Sequence, residues 1–247
     1  LGETFDHYPL WLADYAKQPT LPRAQPALAI WQHSQKGLIL PESFIGVAEE
    51  TGLICQIGEW VLEEVCQQIK KWQNLGLPRI RVAINVSVSQ IVNDNLAEKT
   101  ISACSKAGLN LEDADIEMEI TESHLMSDVE DAIRQLHAIK QLGVNISIDD
   151  FGTGYSSLSY LKRFPVDTLK IDRSFIKDIP EDTSDVEITG AIIAMAQKLG
   201  LEVIAEGAET QEQIDFLASN GCHYVQGYFF SKPLPEAQAR VWQFEQG

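Results

Sequence analysis

Asp115-Ile-Glu-Met-Glu-Ile120 and Asn145-Ile-Ser-Ile148, the latter running on into Asp149-Asp-Phe-Gly-Thr-Gly154, frame the stretch whose reading decides the fold. Both runs are short, rich in β-branched residues and alternating in polarity, as strands are. Between them Val129, Ile133, Leu136 and Ile139 recur at three- and four-residue steps, with Ser127-x-x-Glu130 as a capping box ahead and Gly143 as terminator behind. Strand, amphipathic helix, strand is the βα unit of a parallel sheet.

The same alternation recurs on either side. Strands are expected at Arg79–Val86, Asp115–Ile120, Asn145–Ile148, Thr168–Ile171, Glu202–Ala205 and Tyr224–Gln226, with Ala27–Trp31 as a seventh. Gly58–Trp72 places Val61, Val65, Ile69 and Trp72 on one helical face and ends before Gly76 and Pro78. A second helix is expected at Val186–Leu199, behind a solvated acidic loop at Asp178–Asp185. The first 26 residues carry Pro9, Pro19, Pro22 and Pro26 and little periodicity, which predicts a poorly defined first strand and loop. The expected fold is α/β, a (β/α)8 TIM-like barrel forming one domain over residues 1–247.

With 19 Lys and Arg against 36 Asp and Glu, the formal charge of −17 repels a nucleic-acid backbone and argues against long DNA or RNA as partner. Cys55, Cys66, Cys104 and Cys222 form no C-x-x-C pair and predict reduced, mostly buried thiols rather than a zinc site or disulfide framework. No apolar run reaches the roughly 18 residues that span a bilayer, and no basic region precedes an apolar core at the N-terminus. A cytoplasmic protein without direct membrane insertion is the expectation.

In such a barrel the chemistry gathers at the C-terminal ends of the strands. The residues that end or follow them are Asn85, Glu119, Asp149 with Asp150, Lys170, Glu206 and Gln226, all polar and four acidic. Carboxylates crowded at one mouth repel unless protonated or bound to cations, and hard oxygen donors favour Mg²⁺, Mn²⁺ or Ca²⁺ over zinc. Asp149-Asp150 reads either as a pair holding two neighbouring cations or as a capped turn into Gly152. Lys170, between Leu169 and Ile171, points into the mouth, where it orients a water, neutralises a phosphate or forms a structural ion pair. Phe229 and Phe230 read as core.

At these residues the chain resembles the EAL family of cyclic di-GMP phosphodiesterases. The matching stretches are Phe44–Ile54, Asn85-Val-Ser, Glu119-Ile-Thr-Glu122, Asp149–Leu158, Leu169-Lys-Ile-Asp172, Ala205-Glu-Gly-Ala-Glu-Thr210 and Gln226-Gly-Tyr228, in family order. The resemblance implies that Asn85, Glu119 and Asp149 ligate one Mg²⁺ or Mn²⁺, and Asp149 with Asp150 a second. It implies Glu206 as general base or second-site ligand, Lys170 as holder of the attacking water, and Glu122 as support of the loop after Asp150. Glu209 and Gln226 would lie beside metal and nucleotide, Leu28 and Pro233 against the nucleotide, and Asp172 behind the site. Linear pGpG would be the product. A homodimer and fused sensory or diguanylate cyclase-like domains, within a longer signalling protein, belong to the same implication.

The departure lies in the signature that names the family. Where Glu-Ala-Leu-Leu-Arg-Trp is expected, this chain has Pro26-Ala-Leu-Ala-Ile-Trp31, so that Pro26 replaces a metal-binding glutamate and Ile30 a phosphate-binding arginine. The upstream Tyr-Gln-Pro stands as Tyr8-Pro9. Loss of a shared ligand argues for impaired or absent hydrolysis. Three readings result: a working or impaired phosphodiesterase, an inactive cyclic di-GMP receptor or protein-docking domain, and an unrelated metal-dependent barrel using Lys170 as base. The order of the motifs speaks against the last.

Overall fold

The computed structural model describes residues 10–11, 14–16, 25–28, 31–33, 37–122, 129–154, 158–232, 234–235 and 238. Side chains are described from Ile39 onward, apart from Val88, Asn93, Leu158, Ser159, Leu234 and Pro235. The strands are β1 (Leu10–Trp11), β2 (Asp14–Ala16), β3 (Gln25–Leu28), β4 (Trp31–His33), β5 (Gly37–Ile39), β6 (Val82–Asn85), β7 (Ile116–Thr121), β8 (Asn145–Phe151), β9 (Thr168–Ile171), β10 (Glu202–Glu206), β11 (Tyr224–Gln226) and β12 (Leu234–Pro235). From β3 through β6, β7, β8, β9 and β10 to β11 every pairing is parallel. β1 pairs antiparallel with β3, and β2, a few residues further on, pairs antiparallel with β11. One short N-terminal segment is thus hydrogen-bonded to both ends of the parallel sheet. The fold is α/β and TIM-like.

Alternation along each strand builds two environments. On β7, Ile116, Met118 and Ile120 are fully buried on one face, while Glu117 and Glu119 point to the other. Ile146 and Ile148 on β8, Leu169 and Ile171 on β9, and Val203 and Ala205 on β10 share the apolar side. They pack against outer helices through Leu62, Val65, Cys66, Ile69 and Trp72 of Ile54–Asn74 and through Ala132, Leu136 and Ile139 of Val129–Lys140. Burying each large apolar side chain contributes about 1.5–3 kcal/mol, and these residues hold the sheet so that its inward row can be polar. At the strand N-termini that row includes Arg81, whose Nε donates to Asp115 at 2.8 Å and whose Nη1 lies 3.5 Å from the buried Glu117.

The strands lie where the alternation places them, with shifts at the ends. β6 starts at Val82 rather than Arg79, since the ladder to β7 begins there, with Val82 N donating to the Asp115 carbonyl at 2.8 Å. β8 runs on through Asp149 and Asp150 to Phe151, past a register shift in its pairing with β9. The seventh strand is Gln25–Leu28, not Ala27–Trp31: Trp31–His33 pairs instead with Gly37–Ile39 in a separate hairpin. The helix expected at Val186 begins at Thr183, because Asp182 accepts from the Ser184 and Asp185 amides and caps it. Ser127 of the expected capping box lies outside the described residues, as does Pro233. Cys66, Cys104 and Cys222 are buried, Cys55 is half-buried, and all four are free. Phe229 is 40% exposed, and of the aromatic pair only the half-buried Phe230 packs against the core.

Candidate active site

The inward row ends at the C-terminal mouth of the sheet. β9 delivers Lys170, 2% exposed, and its ammonium is met by carboxylates from three other strands. Nζ stands 2.7 Å from Glu119 Oε1 on β7, 3.1 Å from Asp149 Oδ1 on β8 and 2.7 Å from Glu206 Oε1 on β10. Asn85, at the end of β6, donates from Nδ2 to the other Glu119 oxygen at 3.3 Å. Of the alternatives for Lys170, the ion pair is therefore realised, and with three partners. Asp149, Asp150 and Glu206 each offer an oxygen, all within 4.8 Å of one another.

The local backbone explains how two adjacent aspartates reach one place. Asp150 has φ 53°, a left-handed conformation uncommon outside glycine. Both carboxylates can then turn towards the mouth instead of to opposite faces. The Asp150 amide donates to Asp149 Oδ1 at 3.1 Å, and the Asp150 carbonyl accepts from Thr153 N and Oγ1. Gly152 follows at φ 100°, where an added Cβ would stand 2.7 Å from the Phe175 ring. Its amide donates to Glu122 Oε2 at 2.8 Å, which places Glu122 behind this loop.

Electrostatically the mouth holds more acid than one ammonium balances. Burial, and then the neighbouring Asp149 and Glu206, raise Glu119 to about 8 against the opposing pull of Lys170. Burial likewise raises Glu206 to about 6, with Asp149 and Asp150 adding to the shift. For Lys170 burial works against the charge, but Glu119, Glu206 and Asp149 outweigh it and hold the ammonium well above its ordinary value. An all-oxygen donor set with uncompensated negative charge fits a hard divalent cation.

The remaining predicted residues fall around this cluster. Gln226 is 9% exposed, its Oε1 is buried without a hydrogen-bond partner among the described residues, and its carbonyl accepts from Gly207 N at 2.7 Å. Glu209 is exposed on the segment after β10. Asp172 is turned to its own backbone, accepting from Ser174 N at 3.0 Å as cap of the turn Arg173–Phe175. Leu28 lies on β3 opposite Leu10. Pro26 stands in register with Ala83, two positions short of Asn85 along the neighbouring strand. Gln213 was not anticipated, although Thr210-x-x-Gln213 is a legible capping-box pattern.

A parallel sheet whose strand ends converge as an acidic mouth defines a TIM-like α/β fold with a candidate cation site as the class. Within it, residues 21–233 match the EAL domain model, and the chain belongs to the EAL domain family. It is 49% identical over 223 residues, 89% of this chain, to the cyclic di-GMP phosphodiesterase NbdA of Pseudomonas aeruginosa. It is 44% identical over 212 residues, 86% of this chain, to the bifunctional diguanylate cyclase/cyclic di-GMP phosphodiesterase MucR of the same organism. It spans only 28% and 31% of those two relatives' lengths. Among solved structures, the PaMucR phosphodiesterase in complex with c-di-GMP superimposes with a TM-score of 0.87 at 40% identity, covering 94% of this chain and 93% of that one. Among the described residues no helix is long and apolar enough to cross a membrane.

Proposed function

We propose that the mouth binds cyclic di-GMP together with Mg²⁺ or Mn²⁺, and that hydrolysis to linear pGpG proceeds there at a rate impaired by Pro26 and Ile30. The observation that carries this reading is the convergence of Asp149, Asp150 and Glu206 oxygens within 4.8 Å beside the buried Lys170. Asn85, Glu119, Asp149 and Asp150 would hold the cations, with Glu206 as second-site ligand or general base, and the cations when bound would stabilise charge on the phosphoryl group. Lys170 keeps Glu119, Asp149 and Glu206 turned inward and adds positive charge where a phosphodiester enters. Glu206, raised to about 6, is ionised at neutral pH and can take a proton from water at the oxygen not engaged by Lys170. Gln226, whose amide oxygen is buried without a hydrogen-bond partner among the described residues, would lie beside the nucleotide. Loss of the arginine at position 30 removes a charge-assisted contact worth about 1.5–3 kcal/mol, a tenfold effect or more.

The second reading, a receptor that binds the dinucleotide without cleaving it, rests on Pro26, since proline offers no ligand atom. Calorimetric titration with cyclic di-GMP in Mg²⁺, in Mn²⁺ and in chelator, followed by an assay of the same samples for linear product, separates the two. Metal-dependent turnover supports the impaired enzyme, binding without product supports the receptor, and absence of binding overturns both.

A further inference from the structure

Glu206 ends β10 and Glu209 sits on the segment that follows it, and that segment is tied to its neighbour by one side chain. Gln213, on the helix Gln211–Ser219, is 2% exposed. Its Nε2 donates to the carbonyls of Ile176 and Lys177, both at 3.1 Å, and its Oε1 accepts from the amides of Glu209 at 2.7 Å and Thr210 at 3.0 Å. The Thr210 bond is the ordinary reciprocal cap of that helix. The other three reach beyond it: two into the turn that follows β9, and one to the segment that follows β10.

A second contact joins the same two segments independently. Gly207 has φ 74°, and a Cβ there would stand 2.4 Å from Arg173 Cβ. Turn 173–177 leaves β9, which delivers Lys170, and segment 206–210 leaves β10, which delivers Glu206, so the tie lies just outside the 2.7 Å ion pair between those two. We propose that Gln213 is a positioning residue: it fixes segment 206–210 against turn 173–177 and thereby sets where the Glu206 carboxylate stands relative to Lys170, Asp149 and a bound divalent cation. This rests on the reading of the mouth as a cation and cyclic dinucleotide site.

Two variants separate positioning from capping. Gln213→Glu keeps an oxygen for the Glu209 and Thr210 amides, and so the cap, but sets an oxygen against the Ile176 and Lys177 carbonyls. Gln213→Leu removes all four bonds. In the full chain, at a temperature where circular dichroism shows each variant folded, Mn²⁺ affinity is read by calorimetry. Amide exchange is read by mass spectrometry over residues 172–178 and 206–210. Both variants should bind Mn²⁺ about tenfold more weakly and exchange faster in those two peptides, with β6, β7 and β8 unchanged. Gln213→Glu with wild-type Mn²⁺ affinity and wild-type exchange would reduce Gln213 to a helix cap and overturn the proposal. If wild-type protein binds no Mn²⁺, the cation reading of the mouth falls, and the exchange of Gln213→Glu alone decides whether the tie exists. In the wild type itself the Glu209 and Thr210 amides should exchange as slowly as those of β10; exchange at open-loop rates overturns the tie without any variant.

Discussion

At position 26 a proline stands beside Ala83 in the parallel ladder, and at position 30 an isoleucine stands where the resemblance calls for a cation. Neither side chain has an atom that can meet a metal ion or a phosphate. Pro26→Glu combined with Ile30→Arg should therefore raise Mn²⁺-dependent formation of linear product at least tenfold, measured by chromatography under single-turnover conditions; equal rates would show that these positions do not limit the chemistry. Glu119 offers a second test, in metal-free protein. Its folded value of about 8 lies above the ordinary 4.5, so the stability it contributes is fully present below about pH 4.5 and is lost as pH rises through about 8. Glu206, raised to about 6, acts in the same direction over the lower part of that window. Urea midpoints in chelator should fall from pH 5 to pH 8, and Glu119→Gln, which cannot ionise, should flatten that fall. Parallel profiles for the two proteins would remove Glu119 as the source. The residues of the cluster were legible because a polar residue ends nearly every strand. Their shared partner Lys170, with three carboxylates at once, was legible only as one option among several, because sequence gives the face a side chain takes and not its neighbours.

At the scale of elements, burial of one sheet face decides what the sequence makes legible. Where apolar residues alternate strictly, as on β7 and β9, the strand is found at or within a residue of its predicted ends, because burying one face of a sheet dictates the period. The pattern ends early on β8, since Asp149 and Asp150 look like a turn; the positive φ at Asp150 lets the strand run on with both carboxylates kept at the mouth. Contacts between the ends of elements were not legible at all. Gly227 follows β11, and a Cβ there would stand 2.1 Å from the Ala208 carbonyl oxygen and 2.5 Å from the Ala208 amide nitrogen. Those are backbone atoms with no side-chain freedom to give way. Gly227→Ala should push β11 from the segment after β10, stretch the 2.7 Å bond from Gly207 N to Gln226 O, and lower stability by about 1–3 kcal/mol as overpacking does. For contrast, Leu136→Ala, in the fully buried row of the Val129–Lys140 helix, should cost about 2–5 kcal/mol yet leave Mn²⁺ affinity per folded molecule unchanged. Denaturant midpoints and calorimetry on the same samples would separate the two effects.

Across the whole molecule a charge of −17 sets two expectations that a single experiment can tell apart. Diffuse repulsion among surface carboxylates is relieved by any salt, since screening depends on ionic strength alone. A built cation site responds to Mn²⁺ at concentrations far too low to screen, because a ligand that binds only the folded state stabilises it by mass action, about 2.7 kcal/mol at a hundred times its dissociation constant. For a chain of 247 residues this corresponds to a melting shift of about 5–10 °C. Mn²⁺ should therefore raise the melting temperature by that amount over NaCl of matched ionic strength. Asp149→Asn should abolish the Mn²⁺ increment while leaving the NaCl response intact, because it removes one of the three converging oxygens and only one of 36 acidic groups. An Mn²⁺ increment that survives in Asp149→Asn would place the cation elsewhere on this acidic surface, and the mouth between β7, β8, β9 and β10 would lose its claim to be a metal centre. An increment equal to that of NaCl in the wild type would mean that Lys170 alone serves as the cation of the cluster.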